Sequence, residues 1–220
     1  MPPPTNSNHI LIISGTHVTG KDTIATSLAH TYNSPFLEGE YCYNAAWSIA
    51  RARQKHGYDV ASVFGQTWLR KMNRIGLPLP LSTPPTPSHT PPSSPSSSST
   101  ASSSYTGRGG GISAVVSCAA MRKPHRDAIR SVMATQSVGV IFVVLQIEPE
   151  TLLGRTVGAE NRELEMRILQ EKTEDIRLPG VEEAGPGRET IVVDALMDVD
   201  SVCWFVRGRV AEVLGGDDSL

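Results

Sequence analysis

The chain has no marked excess of charge, no long apolar run and few cysteines, and each absence argues against a class of protein. Its 20 basic and 22 acidic residues give a formal net charge of −2, so no strong field of one sign would attract nucleic acid or an acidic membrane surface. No segment approaches the roughly 20 apolar residues that span a bilayer, and the first residues, MPPPTNSNH, do not resemble a secretory signal. We therefore expect a cytoplasmic protein that binds small molecules or other proteins.

The three cysteines argue against a disulfide framework or a zinc site. Cys42, Cys118 and Cys203 lie far apart, and no two of them have the spacing of metal ligands. Cys118 follows a strand-like apolar run and Cys203 lies in an amphipathic segment, so both are expected to be small core residues. We expect all three thiols to be reduced.

One long segment offers almost nothing to bury. Residues 77–111, LPLPLSTPPTPSHTPPSSPSSSSTASSSYTGRGGG, consist mainly of Pro, Ser, Thr and Gly. Such a composition does not offset its own ordering entropy, so we predict a disordered insertion. It would be an inert spacer or a phosphorylated Ser-Pro tract. It divides a single domain into two halves, residues 1–76 and 112–220.

Outside the insertion, apolar runs alternate with amphipathic segments. Runs typical of strands buried on both faces cover residues 9–14, 114–118, 138–147 and 190–194. Helical periodicity follows each run, at residues 21–32, 122–133, 149–157 with a continuation over 163–176, and 200–214. The alternation predicts an α/β fold, a parallel sheet flanked by helices, with ligands outside the carboxyl ends of the strands.

The turn between the first strand and the first helix reads GTHVTGKDT and has the frame of a phosphate-binding loop, GxxxxGK. Gly15 and Gly20 would let successive backbone N–H groups face an anion, and Lys21 would reach the β- and γ-phosphates. A chance glycine-rich turn is the alternative. The predicted nucleotide site consists of Gly15, Thr16, His17, Val18, Thr19, Gly20, Lys21, Asp22 and Thr23.

Asp22 stands where such a loop normally has the Ser or Thr hydroxyl that binds Mg²⁺. A carboxylate also binds Mg²⁺, but at ~4 Å and an effective dielectric constant near 20 its repulsion of a phosphate charge is ~4 kcal/mol. Asp22 and Thr23 are the candidate metal ligands. The alternatives for Asp22 are an ion pair with Lys21 or Arg122, or a favourable charge in the first helical turn.

Several segments together resemble the gluconokinases, P-loop small-molecule kinases related to shikimate and adenylate kinases. ISGTHVTGKDTIATSLAHTYNSPFLEGE is similar to the family's loop, helix and following strand end. VVSCAAMRKPHRDAIR looks like its V-[SC]-C-S-A-L-K-x-x-Y-R-D-x-L-R motif, IFVVLQIEPETLLGR resembles the strand and helix that lead to its lid, and LPGVEE with TIVVDALMDVDSV resembles its C-terminal part. The resemblance implies a three-layer P-loop NTPase fold of the nucleoside monophosphate kinase type, with a small lid.

The resemblance also implies an activity, the transfer of phosphate from ATP, with Mg²⁺, to a small sugar acid such as D-gluconate. Lys21 would hold the phosphates, and Glu40 would orient or deprotonate the acceptor hydroxyl. Arg126 would bind the substrate carboxylate or phosphates. Arg155 would be the lid cation, with Arg162 as the alternative. The sequence leaves open whether two copies of the chain form a homodimer.

The substrate half departs from the family pattern. The chain reads EGEYCYN at residues 38–44, so Glu40 replaces an Asp and the following His-Pro pair is absent. An acidic pair and its Arg are absent from residues 57–69, and the lid His from residues 157–161. Two alternatives follow, a weak or inactive kinase-like protein with a binding or regulatory role, and a kinase with another acceptor.

The histidines offer no obvious catalytic base. His17, His56 and His125 have no carboxylate or second histidine at ligand spacing. We expect all three in loops or at the surface.

Overall fold

A computed structural model describes residues 8–16, 18–80, 111–119, 121–157, 163, 179–180, 182–185 and 187–215. Most of the predicted insertion, residues 81–110, lies outside this description, as does the predicted helical continuation apart from Glu163. Leu77, at the predicted start of the insertion, is buried, and Leu79 packs against the same apolar cluster. The chain therefore contributes to the core as far as Leu79.

Five parallel strands form one sheet in the described part of the chain. They are β1 (Asn8–Gly15), β2 (Phe36–Glu38), β3 (Ile112–Ala119), β4 (Val138–Gln146) and β5 (Thr190–Asp194). Their order across the sheet is β2-β3-β1-β4-β5, and each neighbouring pair is parallel. The predicted parallel sheet is confirmed, and the carboxyl ends of all five strands point to the same edge.

Six helices connect or follow these strands among the described residues. They are α1 (Lys21–Thr31), α2 (Glu40–Gln54), α3 (Val60–Arg74), α4 (Lys123–Ala134), α5 (Pro149–Val157) and α6 (Val199–Val213). The sequence pattern predicted α1, α4, α5 and α6 to within two residues but not α2 and α3. None of the described helices is long and apolar enough to cross a membrane.

The sheet separates two apolar clusters, which makes the fold three-layered. Along β1, Ile10 and Ile12 face one cluster while Leu11 and Ile13 face the other, as the two-residue repeat of a strand requires. Helices α2, α3 and α4 cover the first cluster, and α1 and α6 cover the second. Since both faces are covered, six consecutive residues of β1 are buried.

All three cysteines are buried free thiols, as the sequence predicts for Cys118 and Cys203. Burial is the main cause that raises the pKa of the Cys118 thiol well above its usual value, and the Glu40 carboxylate adds to it. Burial likewise raises the pKa of the Cys42 thiol, so neither Cys42 nor Cys118 has the surroundings of a reactive thiolate.

Candidate nucleotide and acceptor site

Two glycines give the loop after β1 its shape. Gly20 precedes α1 with a φ of +74°, in the left-handed region that favours glycine. A Cβ atom on Gly15 would lie 2.6 Å from the Thr19 hydroxyl oxygen, which is closer than packed atoms approach. The two glycines of the GxxxxGK frame are therefore required by the backbone conformation and by packing.

A short-range contact closes the loop between these glycines. The backbone N–H and the hydroxyl of Thr19 both donate to the Thr16 carbonyl, at 3.2 Å and 2.7 Å. The Thr16 hydroxyl is buried, with no hydrogen-bond partner among the described residues. His17 lies outside the described residues. A buried polar atom that lacks a partner beside a glycine-rich turn fits an anion-binding loop.

The loop lysine lies against a carboxylate from a different helix. Lys21 begins α1 and is 4% exposed. Its Nζ is 3.2 Å from Oε2 of Glu40, the first residue of α2. The structure thus brings together the two residues predicted to hold the phosphates and to face the acceptor.

Asp22 lies on the open side of the same lysine. Its Oδ2 is 3.6 Å from Lys21 Nζ, and its side chain is 61% exposed. An ion pair with Lys21, one of the alternatives to a metal-binding role for Asp22, is therefore present. Thr23 is also exposed in the first turn of α1. Both side chains have room for a ligand from solvent.

Close packing fixes Glu40 in front of Lys21. The N–H of Gly39 donates to the Ser117 carbonyl of β3 at 2.7 Å. A Cβ on Gly39 would lie 2.7 Å from Val116 Cγ1 and 2.9 Å from the Ser117 carbonyl oxygen. Only glycine fits without displacing backbone, so α2 starts directly on the carboxyl-terminal part of β3. This approach fixes the position of the backbone from which the Glu40 side chain extends.

A buried polar contact holds the next turn of α2. The Tyr43 hydroxyl and His125 Nδ1 share a hydrogen bond of 2.7 Å, and both residues are buried. The Phe64 ring stacks on the imidazole, with 4.6 Å between ring centroids. The prediction that His125 lies at the surface is therefore wrong, because its position in α4 faces the core. His56 is exposed, as expected.

Arg126 is engaged inside the protein. It is 1% exposed, and its Nε and Nη2 donate to the two carboxylate oxygens of Glu183 at 2.6 Å and 2.7 Å. Nη1 donates to the Met121 carbonyl. Arg130 reaches the same carboxylate at 3.3 Å and donates to the Thr190 hydroxyl at 2.6 Å. A substrate contact by Arg126 would require Glu183 to move away, so that role stays a prediction.

The predicted lid cation, Arg155, forms a hydrogen bond to the loop between β1 and α1. Arg155 lies in the last turn of α5, and its Nη1 donates to the Val18 carbonyl at 3.0 Å. The guanidinium is therefore beside the backbone of the predicted nucleotide site. Arg162, the alternative cation, lies outside the described residues.

Comparisons with known proteins give matches in structure only. No family model matches the chain, and no curated protein matches it in sequence. A gluconokinase from Sinorhizobium meliloti 1021 superposes with a TM-score of 0.57 at 17% identity, covering 96% of this chain and 95% of that one. A sugar kinase from Janibacter sp. HTCC2649 gives a TM-score of 0.54 at 16% identity, covering 95% and 98%. The chain has the P-loop kinase fold.

The residues around the loop after β1 can be compared with what a bound nucleotide and a metal ion would require. The glycine-shaped turn, the unpartnered Thr16 hydroxyl and the N-terminus of α1 fit phosphate groups. The described residues contain no group of three or more His, Cys, Asp or Glu that would hold a metal ion by itself. In such a site Mg²⁺ would share its coordination with phosphate oxygens, and Asp22 and Thr23 stay the predicted protein ligands.

Proposed function

We propose that this protein transfers the γ-phosphate of ATP to a hydroxyl group of a small sugar acid, with D-gluconate as the first candidate and 6-phosphogluconate as its product. One observation carries the proposal. Lys21 Nζ lies 3.2 Å from Glu40 Oε2, so a phosphate-binding cation adjoins a carboxylate able to accept a hydroxyl proton. The P-loop kinase fold and the gluconokinase-like segments support the same class of reaction.

Each residue of the site has a definite task in this reaction. Lys21 and the loop N–H groups bind the phosphates, and Glu40 takes the proton of the acceptor hydroxyl. The acceptor oxygen then bonds to the γ-phosphorus while the bond to the bridging oxygen of ADP breaks. Asp22 and Thr23 would hold Mg²⁺, which would offset phosphate charge. Arg155 adds positive charge beside the loop.

Loss of the loop lysine tests these roles. Lys21→Met keeps a similar stem without the charge, and we expect gluconate-dependent ADP formation to fall by about a hundredfold or more. Lys55→Met is the matched control, because Lys55 is exposed at the end of α2 and far along that helix from Glu40. Full turnover in Lys21→Met would contradict the proposal.

One observation favours a second function, nucleotide binding with little or no catalysis. Asp22 and Glu40 both lie near Lys21, so two negative charges face the position that a phosphate would take. A protein of this kind would bind nucleotide and regulate a partner. Nucleotide binding without product from gluconate, related sugar acids or other alcohols would support it. Product from another acid or alcohol would instead identify a kinase with a different acceptor.

A further inference from the structure

We propose that Glu40 competes with the nucleotide phosphates for Lys21 and thereby sets the affinity of the site for nucleotide. The inference rests on the proposed function of the site. It assigns to Glu40 a second task, that of setting nucleotide affinity.

The first support is the closed surroundings of Lys21. The residue is 4% exposed, and two carboxylates lie within 3.6 Å of its ammonium group. Both carboxylates repel an approaching phosphate while the ammonium group attracts it. Phosphates therefore bind more strongly when the Lys21 ammonium group leaves at least one carboxylate and contacts them instead.

The second support is the difference between the two carboxylates. Asp22 is 61% exposed and can turn into solvent, whereas the Glu40 side chain is 29% exposed. The backbone before Glu40 is fixed by the Gly39 contact with β3, and the turn after it by the bond between Tyr43 and His125. Glu40 is thus the fixed competitor, and the flexible stem of Lys21 allows the ammonium group to move.

The test is calorimetric titration of ATP with Mg²⁺ into the wild-type chain, Glu40→Gln and Glu38→Gln. Glu40→Gln keeps the shape but removes the charge, and we expect nucleotide to bind about tenfold more tightly, which corresponds to about 1.4 kcal/mol. Glu38→Gln is the matched control, because Glu38 is exposed on β2 and its loss changes the net charge equally. Its affinity should stay within about threefold of wild type.

The outcomes separate this inference from the proposed function. Equal or weaker nucleotide binding by Glu40→Gln, in a protein whose melting temperature matches wild type, overturns the inference and leaves the proposed function standing. Glu40→Ala repeats the test in case the amide makes a new hydrogen bond. Tighter binding without any gluconate phosphorylation by wild type supports the inference and overturns the function. Absence of nucleotide binding by all variants overturns both.

Discussion

Lys21 and Glu40 form an ion pair of 3.2 Å between the first residues of two different helices. The pair lies where the loop after β1 meets the turn after β2, at the carboxyl edge of the sheet. In an open α/β sheet this edge is where ligands bind. The pair therefore joins the predicted nucleotide side and the proposed acceptor side of the site.

Restoring a hydroxyl at Asp22 should strengthen nucleotide binding. Asp22→Ser removes a negative charge beside the phosphates and supplies the metal ligand usual at this position, so we expect ATP with Mg²⁺ to bind about tenfold more tightly. Calorimetric titration measures the change. Asp200→Ser is the control, since Asp200 is also an acidic residue in a first helical turn but belongs to α6. An unchanged affinity in Asp22→Ser would show that this carboxylate does not oppose the phosphates.

A methyl group at Gly39 should both destabilise the fold and misplace Glu40. The added Cβ of Gly39→Ala would lie 2.7 Å from Val116 Cγ1 and 2.9 Å from a backbone oxygen. We expect a loss of about 1–3 kcal/mol in the free energy of unfolding, measured by urea denaturation, and reduced turnover. Gly208→Ala in α6, where an added Cβ meets nothing within 4 Å, should instead be neutral or stabilising. Equal stability of both variants would contradict the close approach.

Removal of Arg126 should be strongly destabilising, because Glu183 would stay buried without its two main hydrogen bonds. We expect Arg126→Ala to lower the free energy of unfolding by about 3–5 kcal/mol. Lys123→Ala on the same helix removes an exposed pair with Asp127 and should cost less than about 1 kcal/mol. Urea denaturation compares the two. A loss below 1 kcal/mol for Arg126→Ala would show that the buried pair is not important for stability.

The same carboxylate predicts a pH dependence of stability. Burial alone raises the pKa of Glu183, but hydrogen bonds and charge from Arg126 and Arg130 outweigh it and hold the pKa below its usual value. The unfolded chain therefore binds this proton more tightly than the folded protein. The stabilisation is complete above the unfolded pKa and is lost as the pH falls through the folded pKa.

Comparison of Glu183→Gln with wild type isolates that contribution. Unfolding free energies measured from about pH 7 to about pH 3 should fall more steeply for wild type than for Glu183→Gln, since the variant lacks the titrating group. Parallel profiles for the two proteins would mean that Glu183 has the same pKa in the folded and unfolded states.

Local patterns were sufficient to predict most of the fold. Continuous apolar runs gave the four long strands, and the spacing of glycines around Lys21 gave the loop between β1 and α1. Helix α3 also left a signal, since Phe64, Trp68 and Met72 repeat every four residues and are all fully buried. Asp59 caps it by accepting from the Ser62 N–H at 2.7 Å. The four-residue repeat and the capping Asp59 are the sequence features that predict this helix.

Contacts between residues far apart in the sequence could not be predicted from local patterns. Helix α2 buries mainly small side chains, including Ala46 and Ala50, so its apolar face is weak. The partner of Arg126 comes from the chain before β5, and no local pattern shows which carboxylate will meet a buried guanidinium. The resemblance assigned separate roles to Lys21 and Glu40 but did not predict their ion pair, because the contact depends on the packing of Gly39 against β3.

Direct identification of the products after incubation with ATP, Mg²⁺ and D-gluconate tests the central claim. Mass spectrometry should detect 6-phosphogluconate and ADP in equal amounts from wild-type protein, and neither from Lys21→Met above background. Tight binding of ATP by wild type with no phosphorylated gluconate formed would contradict the proposed reaction.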